Sequence, residues 1–281
     1  MALAFIPSDA AMLALQAGVV AAPRRPPEIP QLARFRSPGW AIVPIASIVV
    51  VVFAIRYISD TATGLTYLAL VAVPPLAAVA LAWGVRGGRT SPARTVGAIA
   101  LTALLFALAW VFHSSLVGEG SAALLSALSC VTLGVLLAAV APPGWLKLGI
   151  LAMAAADTWL VTSDLLQAPN AALVAAAPVG HLPQLQSELF GSVSMGYGDL
   201  FVAGLLGAVL ASDRRRQLQG ALITLILAGL FDLLFLTLSE LPATVPVALT
   251  VIVLEAADRL KRPSADRRLR LRAGAIPRQA K

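Results

Sequence analysis

Apolar runs long enough to cross a lipid bilayer recur along almost the whole chain, and no other feature so limits what it can fold into. Eight such runs are expected at about 40–57, 65–85, 95–113, 122–141, 145–165, 192–212, 218–238 and 242–260. Each is long enough for a hydrocarbon core of about 30 Å at about 1.5 Å per residue, allowing for tilt. Residues 2–22 form a ninth, interrupted by Pro7, Ser8 and Asp9. No positive residue precedes this run, so it matches a secretory signal peptide poorly and reads as a retained first helix. The expected fold is all-α: a polytopic membrane protein of about nine transmembrane helices.

Composition points the same way. Of the 281 residues, 59% are hydrophobic and 12% charged, about half the charged share of a soluble domain, which is roughly 25%. A soluble fold of this size could not cover its surface with so few charges. The net charge of +7 does not signal nucleic-acid binding, because the basic residues fall in short clusters between apolar runs. Cys130 is the single cysteine and lies inside an apolar run, which excludes an intramolecular disulfide, a cysteine zinc site and a redox pair. No metal and no cofactor are expected.

The clusters set an orientation. Arg24, Arg25, Arg34 and Arg36 follow the first run; Arg86, Arg89 and Arg94, then Lys147, then Arg214, Arg215 and Arg216 occupy alternate loops, and nine more lie from Arg259 to Lys281. These alternate segments hold 20 of the 21 basic residues. The intervening loops carry Asp60, Glu119, Glu188 and Glu240, with Arg56 as the one base near them. By the positive-inside rule the basic side is cytoplasmic, so the C-terminus is inside and nine helices put the N-terminus outside. The longest outer connection, 166–191, contains three prolines and has room for a short interfacial or re-entrant helix in its middle. The Arg-rich tail, 261–281, is expected to be disordered or bound to anionic lipid headgroups. The chain divides into an N-terminal helix group, 1–144, a second group of four helices, 145–260, and this basic tail.

Ionisable groups inside hydrocarbon cost about 2.5–3.5 kcal/mol each on insertion scales, so each needs a reason. Glu255 precedes Arg259 by one helical turn, and a local ion pair accounts for it. Asp232 faces no obvious basic partner and reads either as a protonated structural group or as a functional one. Asp199 follows Gly196, Tyr197 and Gly198; two glycines beside an acid let a second helix or an extended peptide come close, although Gly-x-Gly also marks plain helix packing. Counted from outer ends near Leu165 and Ser192, Asp157 and Asp199 lie about 12 Å and about 10 Å deep. Asp164 is about 9 Å too shallow to be the partner and reads as a helix-end residue. Two carboxyls facing each other in a low-dielectric site share a proton and titrate as one unit. Aspartic proteases use that arrangement as general acid and base, and proton pumps also use paired acids.

With these residues in order, the chain resembles the GxGD intramembrane aspartyl proteases, the presenilin and signal peptide peptidase family. The similarity rests on Asp157 in the sixth helix, Gly196-Tyr197-Gly198-Asp199 opening the seventh, and Pro242-Ala243-Thr244 at the start of the ninth, similar to the family's Pro-Ala-Leu motif. It covers roughly 145–258; the first five helices match in number and hydrophobicity. Ala156 stands where the family has tyrosine, and Thr244 replaces the leucine of Pro-Ala-Leu. The resemblance implies a presenilin-like bundle and hydrolysis of peptide bonds within transmembrane segments or remnant signal peptides. It also implies Asp157 and Asp199 as the catalytic pair, with Gly196, Tyr197, Gly198, Pro242, Ala243 and Thr244 helping to hold the unwound substrate. Its partners would be transmembrane peptides and membrane lipids. With the 166–191 connection outside, the orientation is that of signal peptide peptidase. Two other readings stay open: a proton-coupled transporter using Asp157, Asp199 and Asp232 as a relay, and a catalytically inactive relative acting as a membrane scaffold. The Ala- and Arg-rich composition hints at the plasma membrane of a high-GC prokaryote.

Overall fold

The computed structural model describes residues 2–24, 34–57, 60–85, 91–236 and 242–273. It is mostly helical: α1 (Ala2–Ala21), α2 (Val43–Tyr57, preceded by a 3-10 turn from Pro38), α3 (Thr61–Val79, continued by a π-turn), α4 (Pro92–Val111), α5 (Leu116–Val140), α6 (Pro143–Thr162), the short α7 (Gln167–Ala175), α8 (Tyr197–Leu210), α9 (Arg214–Asp232) and α10 (Thr244–Ala273). Among the described residues, five helical stretches are long and apolar enough to cross a membrane: Pro38–Tyr57, Thr61–Trp83, Pro92–Val111, Leu116–Val140 and Pro143–Thr162. Large apolar side chains such as Val50, Val71, Ile99 and Leu104 face outward on them, as a lipid-facing surface requires. Helix α1 runs unbroken through Pro7.

The helices begin where the sequence offers caps. Ser91 and Ser115 accept backbone N–H bonds from Arg94 and Gly118 at the starts of α4 and α5, and Pro92 occupies the first helical position of α4. Asp213 accepts from the amides of Arg215 and Arg216. Each satisfies donors that a helix start leaves without an internal partner. Helix α6 closes through Asp164, which adopts a left-handed conformation (φ 53°) and is exposed, in keeping with its reading as a helix-end residue.

One departure from an all-helical chain stands directly before Asp199. Strands β1 (Ser187–Phe190) and β2 (Val193–Gly196) pair antiparallel, Ser187 opposite Gly196 and Phe190 opposite Val193. The turn is Gly191-Ser192, with Gly191 at φ 62°, the Gly-first pattern of a type II′ hairpin. The expected span from 192 thus begins as strand and becomes helix at Tyr197. The hairpin tip is pinned: the Gly191 amide donates to Glu119 Oε2 at 2.7 Å, and a Cβ at Gly191 would collide with Ser8 of α1.

Helix α5 is the most buried of the five spanning candidates and packs closely against α8. A Cβ at Gly134 would lie 2.5 Å from the Gly204 carbonyl oxygen, and one at Gly204 would lie 2.6 Å from that of Cys130. Small residues at facing positions let two backbones approach closely, which replaces the hydrophobic drive missing between helices in lipid. On the same helix, Gly207 abuts the Val20 carbonyl of α1.

At the opposite end from the hairpin, Gln217 of α9 is fully buried. Its Nε2 donates to the carbonyls of Val20 (2.9 Å), Pro23 (2.8 Å) and Gly207 (3.2 Å). Arg214 donates to the Ala21 carbonyl and to Gln217 Oε1. Together they close the C-terminus of α1, whose last carbonyls have no helical partner. Gln217→Leu should destabilise the protein by about 1–3 kcal/mol, since it strands buried acceptors. A thermal unfolding midpoint in detergent unchanged from wild type would contradict this role.

The same end corrects the account of Glu255. It pairs with Lys147 of α6 (2.5 Å) and Arg216 of α9 (3.1 Å), while Arg216 also reaches Asp258 at 2.6 Å. The neighbouring helices bring two cations onto Glu255, so the pairing is between helices and not the local one with Arg259. The first part of the tail is helical and not disordered: α10 continues through Pro263 to Ala273, and 274–281 lie outside the described residues.

Candidate active site

Three separate parts of the chain meet at one place. Asp157 projects from α6, five residues before that helix ends. Asp199 is the third residue of α8, and Thr244 is the first of α10. The Thr244 hydroxyl donates to Asp157 Oδ2 at 2.6 Å. Helix α6 packs against α8, and α10 packs against both, which brings the segments bearing Asp157, Asp199 and Thr244 to one junction. Asp157 and Asp199 are half-buried, and Thr244 is buried.

Asp199 also has a local duty. Its Oδ2 accepts the Gly196 amide N–H at 3.1 Å, which is half of a capping box at the start of α8. An acid in a first turn is favoured by the partial positive charge of the helix N-terminus. The strand-to-helix switch at Gly196 is therefore what aims this carboxyl. Gly196 has extended backbone there (φ −75°, ψ 145°).

The remaining motif residues play different parts. The Tyr197 hydroxyl shares a hydrogen bond with Ser129 Oγ at 2.7 Å, and the Cys130 thiol contacts the Tyr197 carbonyl at 3.7 Å. Tyr197 thus ties α8 to α5. At Gly198 an added Cβ would meet nothing within 4 Å, so this position borders open space. Pro242 is buried and its carbonyl accepts the Val245 amide at 3.1 Å. The Ala243 carbonyl accepts Nε2 of Gln16, from α1, at 3.0 Å. Gln16 has no part in the sequence reading; its signal there was no more than an amide within an apolar run.

Asp232 is the last residue of α9 and half-buried, and its Oδ2 has no hydrogen-bond partner among the described residues. An apolar recess of about 330 Å³ lies between α1, α5 and Phe190 of the hairpin, bordered by Met12, Leu15, Leu116 and Gly120; neither Asp157 nor Asp199 lines it. Among the described residues, no three His, Cys, Asp or Glu side chains are grouped as a metal site. His113 and His181, far apart in sequence, stack with ring centroids 4.6 Å apart.

No family model matches the chain, and neither a curated protein nor a solved structure matches it significantly.

Proposed function

We propose that this chain is an intramembrane aspartyl protease in which Asp157 and Asp199 act as general acid and base on a peptide bond of a transmembrane segment. The observation that carries the reading is the convergence of Asp157, the Gly196–Asp199 element and the Pro242–Thr244 element, three segments distant in sequence, with Thr244 bonded to one acid and the helices that bear all three packed on one another. In such a pair one carboxylate takes a proton from water while the other, protonated, polarises the scissile carbonyl. The tetrahedral intermediate then collapses as the amide nitrogen takes a proton and leaves. Peptide carbonyls in a helix are shielded by their own hydrogen bonds, so the substrate must be unwound locally. Two features favour holding an extended strand there: open space at Gly198 and a two-stranded hairpin ending at Gly196, whose outer edges carry backbone groups able to pair with another strand.

In this reading nine helices cross the membrane, α1 through α6 and α8 through α10. The arginine-bearing ends face the cytoplasm and the hairpin faces outward, at a prokaryotic plasma membrane. Substrates would be transmembrane segments or remnant signal peptides whose N-terminus is cytoplasmic. The reading is tested by reconstituting the purified protein in liposomes with a synthetic transmembrane peptide and mapping products by mass spectrometry. Expected are cuts inside the apolar stretch, blocked by a hydroxyl-bearing transition-state isostere of aspartic proteases. Intact peptide, together with proton-driven solute flux from the same liposomes, would replace the protease with the transporter.

A further inference from the structure

The start of α10 is short of backbone bonding. Pro246, the third residue of α10, has no N–H, so the Pro242 carbonyl cannot receive the usual bond from four residues on and takes the Val245 amide instead. What fixes this segment from outside is a pair of side-chain bonds on adjacent residues. Gln16 Nε2 holds the Ala243 carbonyl at 3.0 Å, and the Thr244 hydroxyl holds Asp157 at 2.6 Å. Gln16 is 1% exposed, and its Oε1 has no donor among the described residues. A leucine would fill the same space without that unsatisfied oxygen, so packing alone does not account for an amide here. The bond spans 227 positions in sequence and makes α1 part of the site.

We infer that Gln16 is a positioning residue of the aspartate pair: by anchoring the Ala243 carbonyl it sets where the Thr244 hydroxyl stands, and through that hydroxyl the orientation of the Asp157 carboxyl. The inference rests on the protease reading for its catalytic half and on geometry alone for its anchoring half. Gln16 touches no reacting atom. Its loss therefore lowers turnover and leaves substrate affinity in place.

Gln16→Leu separates the possibilities in the reconstituted full-length protein. Hydrogen exchange across 242–247 should rise above wild type, kcat should fall about tenfold, and KM should stay within about twofold, since a lost positioning bond of about 1.4 kcal/mol corresponds to a factor of ten. Combined with Thr244→Val, it should add little beyond Thr244→Val alone, because both act on one carboxyl. Gln16→Glu supplies the conservative comparison. A protonated glutamic acid can donate to the Ala243 carbonyl and an ionised one cannot, so this variant should be active at low pH and show, on top of the loss that the aspartate pair's own titration gives wild type as pH rises, a further loss through the titration of the new group. Unchanged exchange overturns the anchor. Raised exchange with wild-type kcat overturns the positioning role and leaves a structural bond. Should wild type cleave nothing, the protease reading falls, and with it the catalytic half, while the exchange measurement still decides the anchor.

Discussion

Asp157→Asn and Asp199→Asn should each cut peptide hydrolysis by at least about 10²–10⁴-fold, the range supplied by a positioned acid or base. The fold should survive both changes. Asparagine is nearly isosteric with aspartic acid and keeps a carbonyl oxygen for the Thr244 hydroxyl in one case and for the Gly196 amide in the other. Asp199→Asn forfeits some charge–dipole stabilisation at the start of α8, about 0.3–1 kcal/mol, too little to unfold a bundle. What neither amide can do is take up and return a proton. Asp164→Asn is the internal control, since Asp164 lies exposed in the turn closing α6 and bonds to Gln167. Turnover at wild-type rate in either pair variant, with Asp164→Asn inactive, would move the chemistry elsewhere.

Gly204→Val should be the most damaging single change to the fold. The new Cβ would stand 2.6 Å from the Cys130 carbonyl oxygen and 2.9 Å from its carbon, both backbone atoms that no rotamer change can move. Helices α5 and α8 must separate or rotate, which disturbs the Tyr197–Ser129 bond two turns away as well. Overpacking costs typically 1–3 kcal/mol where side chains can yield; here backbone meets backbone, and a loss above about 3 kcal/mol is expected. Gly198→Ala provides the contrast on the same helix, because its methyl group enters open space and alanine favours helix by about 1 kcal/mol. Thermal unfolding of the two variants side by side checks the claim, and equal midpoints would refute it.

Much of this architecture is legible in the chain because membrane insertion reads local quantities, namely run length and flanking charge. The five spanning candidates fall where apolar runs stand, and Asp157 and Asp199 were matched by depth alone. A depth counted as helix from residue 192 is nevertheless too small for Asp199, because 193–196 are strand and rise further per residue. Eight strand residues around Gly191-Ser192 carry too little alternation to stand out from their apolar surroundings. Thr244 was readable only as a departure from a leucine; its value comes from Asp157, which lies 87 positions away. Glu255 misled for the converse reason, since a suitable partner one turn on in sequence lost to two cations on neighbouring helices. Gln16 illustrates the limit most clearly, because nothing within its own run says which distant carbonyl it will meet.

The brevity of α8 bears on how a hydrolase could be fed with water. Its 14 residues rise about 21 Å, some 9 Å less than the hydrocarbon thickness of a typical bilayer. A short span is accommodated by thinning the surrounding lipid or by drawing flanking polar groups inward. On the proposed reading, in which α8 crosses the membrane, Asp199 stands in its first turn beside the hairpin, so either response brings the aqueous boundary toward the carboxyl. On that reading the second reactant, water, would reach the acids from the hairpin end, through thinned lipid and not through a channel along the bundle.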